Sequence, residues 1–254
     1  KLFLLNPKID KLYQTLLNII AKTKNWNQLI NITDKAYSNK IIKKEEANEN
    51  KSIALYEIAK IKMKSNVKEA IKLTEKAISL KGNFSPYIKL HAQILFNNNS
   101  NSKALKVLKK YWNQTPSSLL RSSITEVLKE NKVNEIEFIQ SLISKNQNNE
   151  ESKKILIDFA IYFNNWSIAR DNIKGLIGSN PSKEICLFMS EIELGESNDI
   201  QKSEGWKLRA NNAESDYYWV CKITNNPQKN WSALSNSGYF NSLEWIQPKM
   251  LSVL

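Results

Sequence analysis

Two stretches, residues 66–80 (NVKEAIKLTEKAISL) and residues 101–116 (NSKALKVLKKYWNQTP), decide the fold class of this chain. They align at a spacing of 34 residues, with Ala70, Ile71, Thr74 and Ala77 opposite Ala104, Leu105, Leu108 and Tyr111. A small residue followed by mostly apolar residues at plus one, plus four and plus seven forms one stripe on a helix. A second helical pattern lies before each stripe in the sequence, and a short polar turn separates the two. The repeating unit is therefore a pair of helices.

Less regular copies of this unit occupy most of the remaining sequence. Apolar stripes with helical spacing recur over residues 12–36, 155–181 and 184–210, and a poorly marked unit is expected between Pro116 and Pro181. A period of 34 residues is that of the tetratricopeptide (TPR) repeat, whose units stack because none can bury its apolar face alone. The sequence thus predicts an all-α, TPR-like α-solenoid of about six helical hairpins over residues 9–212, with a concave groove.

The helical period is lost in the last part of the chain, residues 213–254, which we call the tail. Turn-forming residues such as Asn225, Pro227 and Gly238 separate aromatic residues there, which suggests short extended pieces. The terminal unit of a solenoid leaves an apolar face open. We therefore predict that the tail is an irregular cap that covers the last hairpin with Trp219, Trp231, Tyr239, Phe240 and Trp245.

The composition is that of a folded, predominantly helical protein. Gly and Pro, six residues each, are too scarce for the many tight turns of a β-sandwich or barrel. No run of about 18 apolar residues, the length that spans a bilayer, is present. The chain starts at Lys1 without a signal-peptide pattern, and we interpret residues 1–8 as the remnant of a junction with a longer protein.

The formal net charge of +12 allows a nucleic-acid or membrane partner, but the kind of basic residue argues against nucleic acid. Only three of the 37 basic residues are Arg, the side chain favoured for bidentate recognition of phosphates and bases. Lys, Asn and Ile are abundant together, as AT-rich coding sequences produce. We interpret the charge mainly as compositional bias.

The chain resembles the TPR region of the HemY family, membrane-anchored proteins associated with haem biosynthesis in proteobacteria, and alphaproteobacterial members most strongly. The resemblance rests on NWNQLI (25–30), on residues 70–95 and 103–116, and on NWSIARDNIKGLI (165–177) followed by residues 180–196. It rests also on GWKLRA (205–210) and on a tail pattern of Trp219, Trp231 and a closing Glu244-Trp245 before Pro248. Coverage is close to the whole chain.

The resemblance implies a helical scaffold on the bacterial inner membrane, with this domain on the cytoplasmic side and a role in a late step of haem synthesis. HemY proteins begin with two transmembrane helices, and we interpret this chain as the soluble TPR region without them. The partners implied are proteins, among them haem-pathway enzymes, and the membrane itself. No catalytic residue and no cofactor follow from the resemblance.

The residues that could ligate a metal are few. His91 is the only His and a candidate haem ligand, but it lies on a helix face expected to pack inward. Cys186 and Met189 are spaced three apart on an apolar helix face, as core residues are. Cys221 has no partner at ribbon spacing, and two Cys with one His cannot supply the four ligands of a structural zinc site. We predict no metal site and no catalytic set.

The concave groove is the predicted binding site. The first helix of each hairpin should line it, so that non-core residues of those helices face a ligand. By spacing, these residues are Gln14, Asn18, Lys62, Lys89, Gln93, Phe96 and Lys154. They could clamp the backbone and carboxylates of a peptide, and the alternative is that they are only solvated.

Three function classes remain. The first is a non-catalytic scaffold that organises late haem-biosynthesis enzymes through protein–protein interactions, with the Lys-rich surface resting on anionic lipid. The second is a carrier that binds haem or a porphyrin in the groove, where Lys side chains suit the propionates. The third, an RNA-binding solenoid, is disfavoured by the 34-residue period and the scarcity of Arg. An enzymatic function ranks last.

Overall fold

The computed structural model describes residues 10–133 and 136–247, so the predicted junction at residues 1–8 lies outside the described residues. Within these ranges the helices are α1 (Asp10–Lys22), α2 (Trp26–Ser38), α3 (Lys44–Lys62), α4 (Val67–Lys81), α5 (Ser85–Asn97), α6 (Asn101–Gln114), α7 (Ser118–Glu130), α8 (Ile136–Ile143), α9 (Glu150–Tyr162), α10 (Trp166–Ile173), α11 (Lys183–Ser197) and α12 (Ile200–Asn211). The predicted all-α solenoid class is confirmed. None of these helices has the length and apolar character needed to cross a bilayer.

Three short strands follow the helices: β1 (Tyr218–Cys221), β2 (Pro227–Gln228) and β3 (Leu243–Ile246). They form one sheet in the order β2-β1-β3, and β1 runs antiparallel to β2 with Trp219 opposite Gln228. The extended pieces expected among the aromatic residues of the tail are therefore strands of a small sheet.

The chain divides into two compact units, and the first is discontinuous in sequence. Unit 1 contains residues up to Leu105 together with Tyr218–Trp245, and unit 2 contains Lys106–Tyr217 and the residues from Ile246 onward. Most of the tail thus belongs with the first helices of the chain. The predicted boundaries at residues 9–212 and 213–254 stay a prediction, although the last described helix ends at Asn211.

Several turns inside the hairpins combine a residue of positive φ with a polar residue that caps the next helix. Lys24, Asn164 and Asn198 have positive φ angles, 56° for Asn164, which reverse the chain between two helices. Asn25 and Asn165 then cap the next helix by accepting backbone N–H bonds in its first turn, as Asp199 does for α12. The Asn-rich composition therefore serves these turns and caps.

The core of unit 1 is apolar with polar bridges between helices. Tyr13 of α1 is fully buried, and its hydroxyl lies 3.3 Å from Thr33 Oγ1 of α2. Asn50 Nδ2 of α3 donates to the same hydroxyl at 3.1 Å. Because each of these buried polar groups has a partner, the bridges fix how α1, α2 and α3 align.

Unit 2 is held by close contacts of two Trp residues. Trp112 of α6 is fully buried and donates from Nε1 to Ser152 Oγ of α9 at 3.1 Å. Trp166 of α10 packs on Gly195 of α11 so closely that a Cβ at residue 195 would collide with the indole ring. Helix α9 also packs against both α7 and α11. The first helices of successive hairpins therefore lie side by side in this unit.

The repeated stripe is confirmed as core with one difference. Ala70, Thr74 and Ala77 are fully buried, and so is Ala104. In the second stripe the buried aromatic is Trp112, whereas Tyr111 is only half-buried. The bulky indole takes the inward position one residue after the expected one, where its N–H finds a buried hydroxyl.

Candidate functional site

Two of the tail aromatics, Trp219 and Trp231, pack against rings of unit 1, and not over the last hairpin, where the sequence predicted the tail to lie. Trp231 contacts α3 and α5, and the backbone N–H of Phe240 donates to Asn18 Oδ1 of α1 at 2.7 Å. Aromatic side chains on α3 and at the start of α5 supply partners for Trp231 that no local pattern in the tail specifies. We call the surface formed by Asn18, Lys22, Glu49, Tyr56, Phe84 and Tyr87 the tail-binding face.

Trp231 occupies an aromatic box on this face. The centroid of its ring lies 5.1 Å from that of Tyr56, 5.2 Å from that of Phe84 and 5.7 Å from that of Tyr87, and each pair is edge-to-face. Such pairs contribute about 0.5–1.5 kcal/mol each beyond the area that they bury. The box therefore helps to hold Trp231 against α3 and α5.

Tyr87 is the fixed wall of the box. Its ring is fully buried, and its hydroxyl lies 3.0 Å from Ser52 Oγ of α3. Burial raises the pKa of Tyr87 well above its ordinary value, against the effect of its hydrogen bond with Ser52. The phenol therefore stays neutral, and the box presents uncharged aromatic surface.

A carboxylate beside the box makes the main charged contact with the tail. Glu49 of α3 pairs with Lys81 Nζ of α4 at 2.5 Å, and this Nζ also lies 4.3 Å from the centroid of the Phe84 ring. Burial acts to raise the pKa of Glu49, but Lys81, the side-chain hydrogen bond from Asn241 and the charge of Lys222 outweigh it, so that this pKa is lowered. An ionised Glu49 thus links the helices to two tail residues.

The tail reaches Asn18 through a tight hairpin at residues 233–241. Leu234 and Phe240 form an antiparallel bridge, and the N–H of Gly238 donates to the carbonyl of Ser235 at 2.8 Å. Gly238 has a φ of 80°, which favours glycine, and a Cβ there would lie 3.4 Å from Lys22 Cε. The turn therefore needs Gly238 for its backbone conformation, whereas a Cβ at this position would be in ordinary contact with Lys22.

The predicted groove residues of unit 1 fall into different environments. Asn18 accepts a hydrogen bond from the tail, while Gln14 Nε2 donates to Glu46 Oε1 at 3.0 Å. Lys62 pairs with Glu69 of α4 at 3.1 Å. Lys89 and Gln93 are half-buried, and Phe96 is 6% exposed and so belongs to the interior.

Lys154, the predicted groove residue of unit 2, lies in a charge network. Its side chain is buried, and Nζ lies 2.7 Å from Glu150 and 3.9 Å from Glu184. Arg121 joins the same network through Glu151 at 2.6 Å and Glu184 at 2.7 Å. These groups come from the first turns of α7, α9 and α11, so the network ties three successive hairpins together.

Burial and pairing keep the cations of this network charged. Desolvation acts to lower the pKa of Arg121, but the charges of Glu184 and Glu151 outweigh it, and the pKa is raised. Burial also acts to lower the pKa of Lys154, but the surrounding Glu150, Glu151 and Glu184 outweigh it, and this pKa is raised. A Lys held in this way is a structural group, and its ammonium is engaged by this chain's own carboxylates.

A cavity of about 310 Å³ lies at the turn between α10 and α11 in unit 2. Glu150, Asn180, Ser182 and Glu214 contribute polar groups to its lining. Glu150 is already paired with Lys154, and Ser182 Oγ caps α11 by accepting the N–H of Ile185. The lining therefore offers hydrogen-bonding groups and no nucleophile with an adjacent base.

His91, the candidate haem ligand, is 6% exposed, and its Nδ1 lies 2.7 Å from Thr74 Oγ1 of α4. Burial lowers the pKa of His91, against the charge of Glu75, so the ring is neutral at pH 7. An iron ligand must present a ring nitrogen to the metal. The burial of the His91 ring weighs against that role, whereas the bond at Nδ1 does not, because a ligating His usually keeps a hydrogen bond on its other ring nitrogen.

The two Cys residues are separate and buried. Cys186 and Met189 pack in the core of unit 2, and the Cys221 thiol donates to Ser242 Oγ at 3.4 Å. Burial acts to raise the pKa of Cys221, but hydrogen bonds with Ser242, Thr224, Ser235 and the backbone outweigh it, so that this pKa is lowered to about 6. No group of three or more His, Cys, Asp or Glu within the ranges 10–133 and 136–247 is arranged to hold a metal ion.

Sequence reasoning missed the residues of the aromatic box. Tyr56, Phe84 and Tyr87 lie on α3 and at the start of α5, which are first helices of neighbouring hairpins. The signal present in the sequence was a set of aromatic residues on adjacent first helices. It was overlooked because the predicted binding positions were chosen for their polar side chains.

Comparison with known proteins adds no relative. The sequence matches no protein-family model, and no curated protein is significantly similar to it. The resemblance to HemY proteins therefore stays a hypothesis drawn from the motifs of this chain. What the chain can do is inferred from its own residues, and the tail-binding face is its most completely built recognition site.

Proposed function

We propose that this chain is a non-catalytic scaffold that binds extended protein segments on the first helices of its hairpins. The observation that carries the proposal is the tail-binding face of unit 1, which holds a non-helical segment of the chain itself. An aromatic box receives one side chain, and Asn18 accepts a backbone N–H nearby. Recognition of one anchor together with the main chain is how proteins bind peptides.

The chemistry of this face suits a polypeptide better than a porphyrin. The three rings of the box meet a single indole edge-to-face, which leaves no flat slot between parallel walls. Lys81, the cation nearest the box, is paired with Glu49 and so does not offer a free charge to a propionate. A carrier function has no comparable built site among the described residues.

The biological setting that we propose follows the resemblance to HemY proteins. In that setting the scaffold is held at the inner membrane with these helices on the cytoplasmic side, and its partners are enzymes of late haem synthesis. The excess of Lys over acidic residues would favour a position close to anionic lipid, with about 1 kcal/mol for each well-placed basic residue.

The test is chemical cross-linking of the full-length protein in its native membrane, followed by quantitative mass spectrometry. The control is an unrelated membrane anchor expressed at the same level. We expect haem-pathway enzymes to be enriched over this control, and cross-linked peptides to come from α1, α3 and α5. Equal recovery of those enzymes with both anchors would contradict the proposed scaffold.

A further inference from the structure

The first helices of three successive hairpins in unit 2 carry two layers of charged residues, about two turns apart. In the first layer Arg121 of α7 bonds both Glu151 of α9 and Glu184 of α11, at 2.6 and 2.7 Å. Residues seven or eight apart on a helix lie on the same face, so each helix repeats its position in a second layer. The residues of this second layer are Lys129, Asp158 and Glu191.

The second layer differs from the first because its cation bonds only one of its two carboxylates. Lys129 Nζ lies 3.0 Å from Asp158 Oδ1 and 5.2 Å from the centroid of the Tyr162 ring. Among residues 10–133 and 136–247, no side chain forms an ion pair or a hydrogen bond with the Glu191 carboxylate. Partial burial and the charge of Asp158 raise the pKa of Glu191, and the charge of Lys129 does not outweigh them. The layer therefore contains one more negative charge than positive charge.

Exposed apolar side chains flank Glu191 on α11. Leu187 lies one turn before it and Leu194 one turn after it, and these residues are 39% and 44% exposed. Their spacing of four and three residues from Glu191 forms one stripe on the helix, and Glu191 itself is accessible to solvent. Tyr162 of α9, which Lys129 contacts, is 47% exposed. We call the surface of Tyr162, Leu187, Glu191 and Leu194 the Glu191 face.

The charge of this face is opposite in sign to that of the chain. The formal net charge of +12 means that the chain as a whole does not attract a basic segment. A porphyrin propionate or a lipid phosphate would lie beside Asp158 and Glu191, where like charges repel it. The face therefore favours a cation, and a peptide is a ligand that brings a cation together with apolar side chains.

We propose that the Glu191 face binds a partner segment in which an Arg or Lys lies between apolar side chains. The partner's cation pairs with Glu191, and its apolar side chains cover Leu187 and Leu194. Arg suits this position best, because its planar guanidinium can bond carboxylates of two helices at once, as Arg121 does in the first layer. This inference rests on the proposed function and specifies a partner chemistry for it.

Thermal unfolding of the full chain tests whether Glu191 lacks an internal partner. The ionised form of Glu191 is disfavoured in the fold, so Glu191→Gln should leave the melting temperature at pH 7 unchanged or raise it. The comparison is Glu193→Gln on the same helix, which breaks a buried pair with Arg170 and should lower the melting temperature. A lower melting temperature for Glu191→Gln would show that the fold already uses this carboxylate, and would overturn the proposal.

The binding test selects a phage-displayed library of random peptides on the wild-type chain, after peptides that bind Glu191→Gln have been removed. We expect the remaining peptides to share an Arg or Lys flanked by apolar residues. In fluorescence anisotropy, a fluorescein-labelled copy should bind Leu194→Ser roughly ten times more weakly than the wild type. The matched control is Leu208→Ser, because Leu208 is also an exposed Leu of this hairpin and lies on α12.

A second control separates a local contact from the net charge. Glu204→Gln removes the same charge from α12, where Glu204 pairs with Lys207 at the surface, and it should bind the peptide as the wild type does. Three results would overturn the proposal: no peptide remaining after the selection, remaining peptides without a basic residue, or equal affinities for Leu194→Ser and Leu208→Ser. Equal weakening by Glu204→Gln and Glu191→Gln would also overturn it.

Further outcomes separate this inference from related ones. If haem-pathway enzymes cross-link to the full-length protein while no peptide depends on Glu191, the Glu191 face is wrong and the scaffold survives. If the peptide binds as expected but no enzyme is enriched, the proposed setting fails instead. A wild-type dimer in light scattering that Glu191→Gln abolishes would identify a second copy of the chain as the occupant, and would overturn the assignment to a separate partner.

Discussion

At the scale of single residues, packing and function depend on different kinds of contact. Gly195 is needed because an indole lies where its Cβ would be, and Glu49 is needed because it joins two helices and the tail through charge. His91 is a buried polar residue held by one hydroxyl. Each of these roles gives a substitution with an expected sign.

Gly195→Ala should destabilise unit 2, because the added methyl collides with Trp166. Overpacking of this kind costs about 1–3 kcal/mol, more than the helix propensity gained from Ala. Gly205→Ala is the control: Gly205 also lies in a helix, but no atom lies within 4 Å of its Cβ position. It should be neutral or stabilising by up to about 1 kcal/mol. Thermal unfolding measures both, and equal melting temperatures would refute the contact.

The stability of the contact between the tail and the helices of unit 1 should change with pH as Glu49 titrates. The pKa of Glu49 is lower in the folded chain than its ordinary value of 4.5, so the unfolded state binds the proton more readily. The stabilisation is present above about pH 4.5 and is lost as the pH falls through the lower, folded pKa. The groups that face this carboxylate are Lys81, Lys222 and Asn241.

Glu49→Gln should remove this part of the pH dependence and loosen the tail already at pH 7. Intrinsic Trp fluorescence, recorded between pH 7 and pH 2, reports the environment of Trp231. Glu69→Gln is the control, because its pair with Lys62 lies at the surface, where such pairs contribute little. Identical fluorescence profiles for Glu49→Gln and the wild type would contradict the assigned contact.

Haemin should not bind through His91. The ring is buried and bonded to Thr74, and burial disfavours rearrangement of this part of the core. A titration of the wild type and of His91→Asn with haemin, followed in the Soret band, should give the same spectra for both. A saturable Soret shift that His91→Asn abolishes would restore the carrier function that the sequence left open.

At the scale of elements, the helices and the tail differ in how far sequence predicts them. The hairpins of α3–α4 and α9–α10 follow from stripes of period 34 and from Asn caps such as Asn66 and Asn165, which act within a few residues. The position of Trp231 depends on Tyr56, Phe84 and Tyr87, which are far away in sequence. Local periodicity carries no information about such a contact, so the tail was predicted to lie on the nearest hairpin.

Trp231→Ala should destabilise unit 1 although the substitution lies after the last helix. Three edge-to-face pairs are lost, and a large aromatic side chain replaced by Ala costs about 3–5 kcal/mol when it is fully buried, so a half-buried Trp231 should cost less. Labelling of Cys221 by a thiol reagent in a Cys186→Ala background reports loosening of the tail. We expect faster labelling than in the unsubstituted tail, and equal rates would contradict the contact.

At the scale of the whole molecule, the chain is two compact units, and the first is completed by residues 218–245, which follow the last helix of the second. This arrangement makes the stability of α1, α3 and α5 depend on residues more than a hundred positions away. The order of elements in sequence alone would assign the tail to unit 2.

Hydrogen–deuterium exchange of the full chain tests this central claim most directly, by comparison of the wild type with Trp231→Ala. Loss of the tail contact should increase exchange in peptides from α1, α3 and the start of α5. Peptides from α11 and α12 should keep their protection. Increased exchange in α11 and α12, with α1, α3 and α5 unchanged, would show that the tail caps the last hairpin and would contradict the tail-binding face.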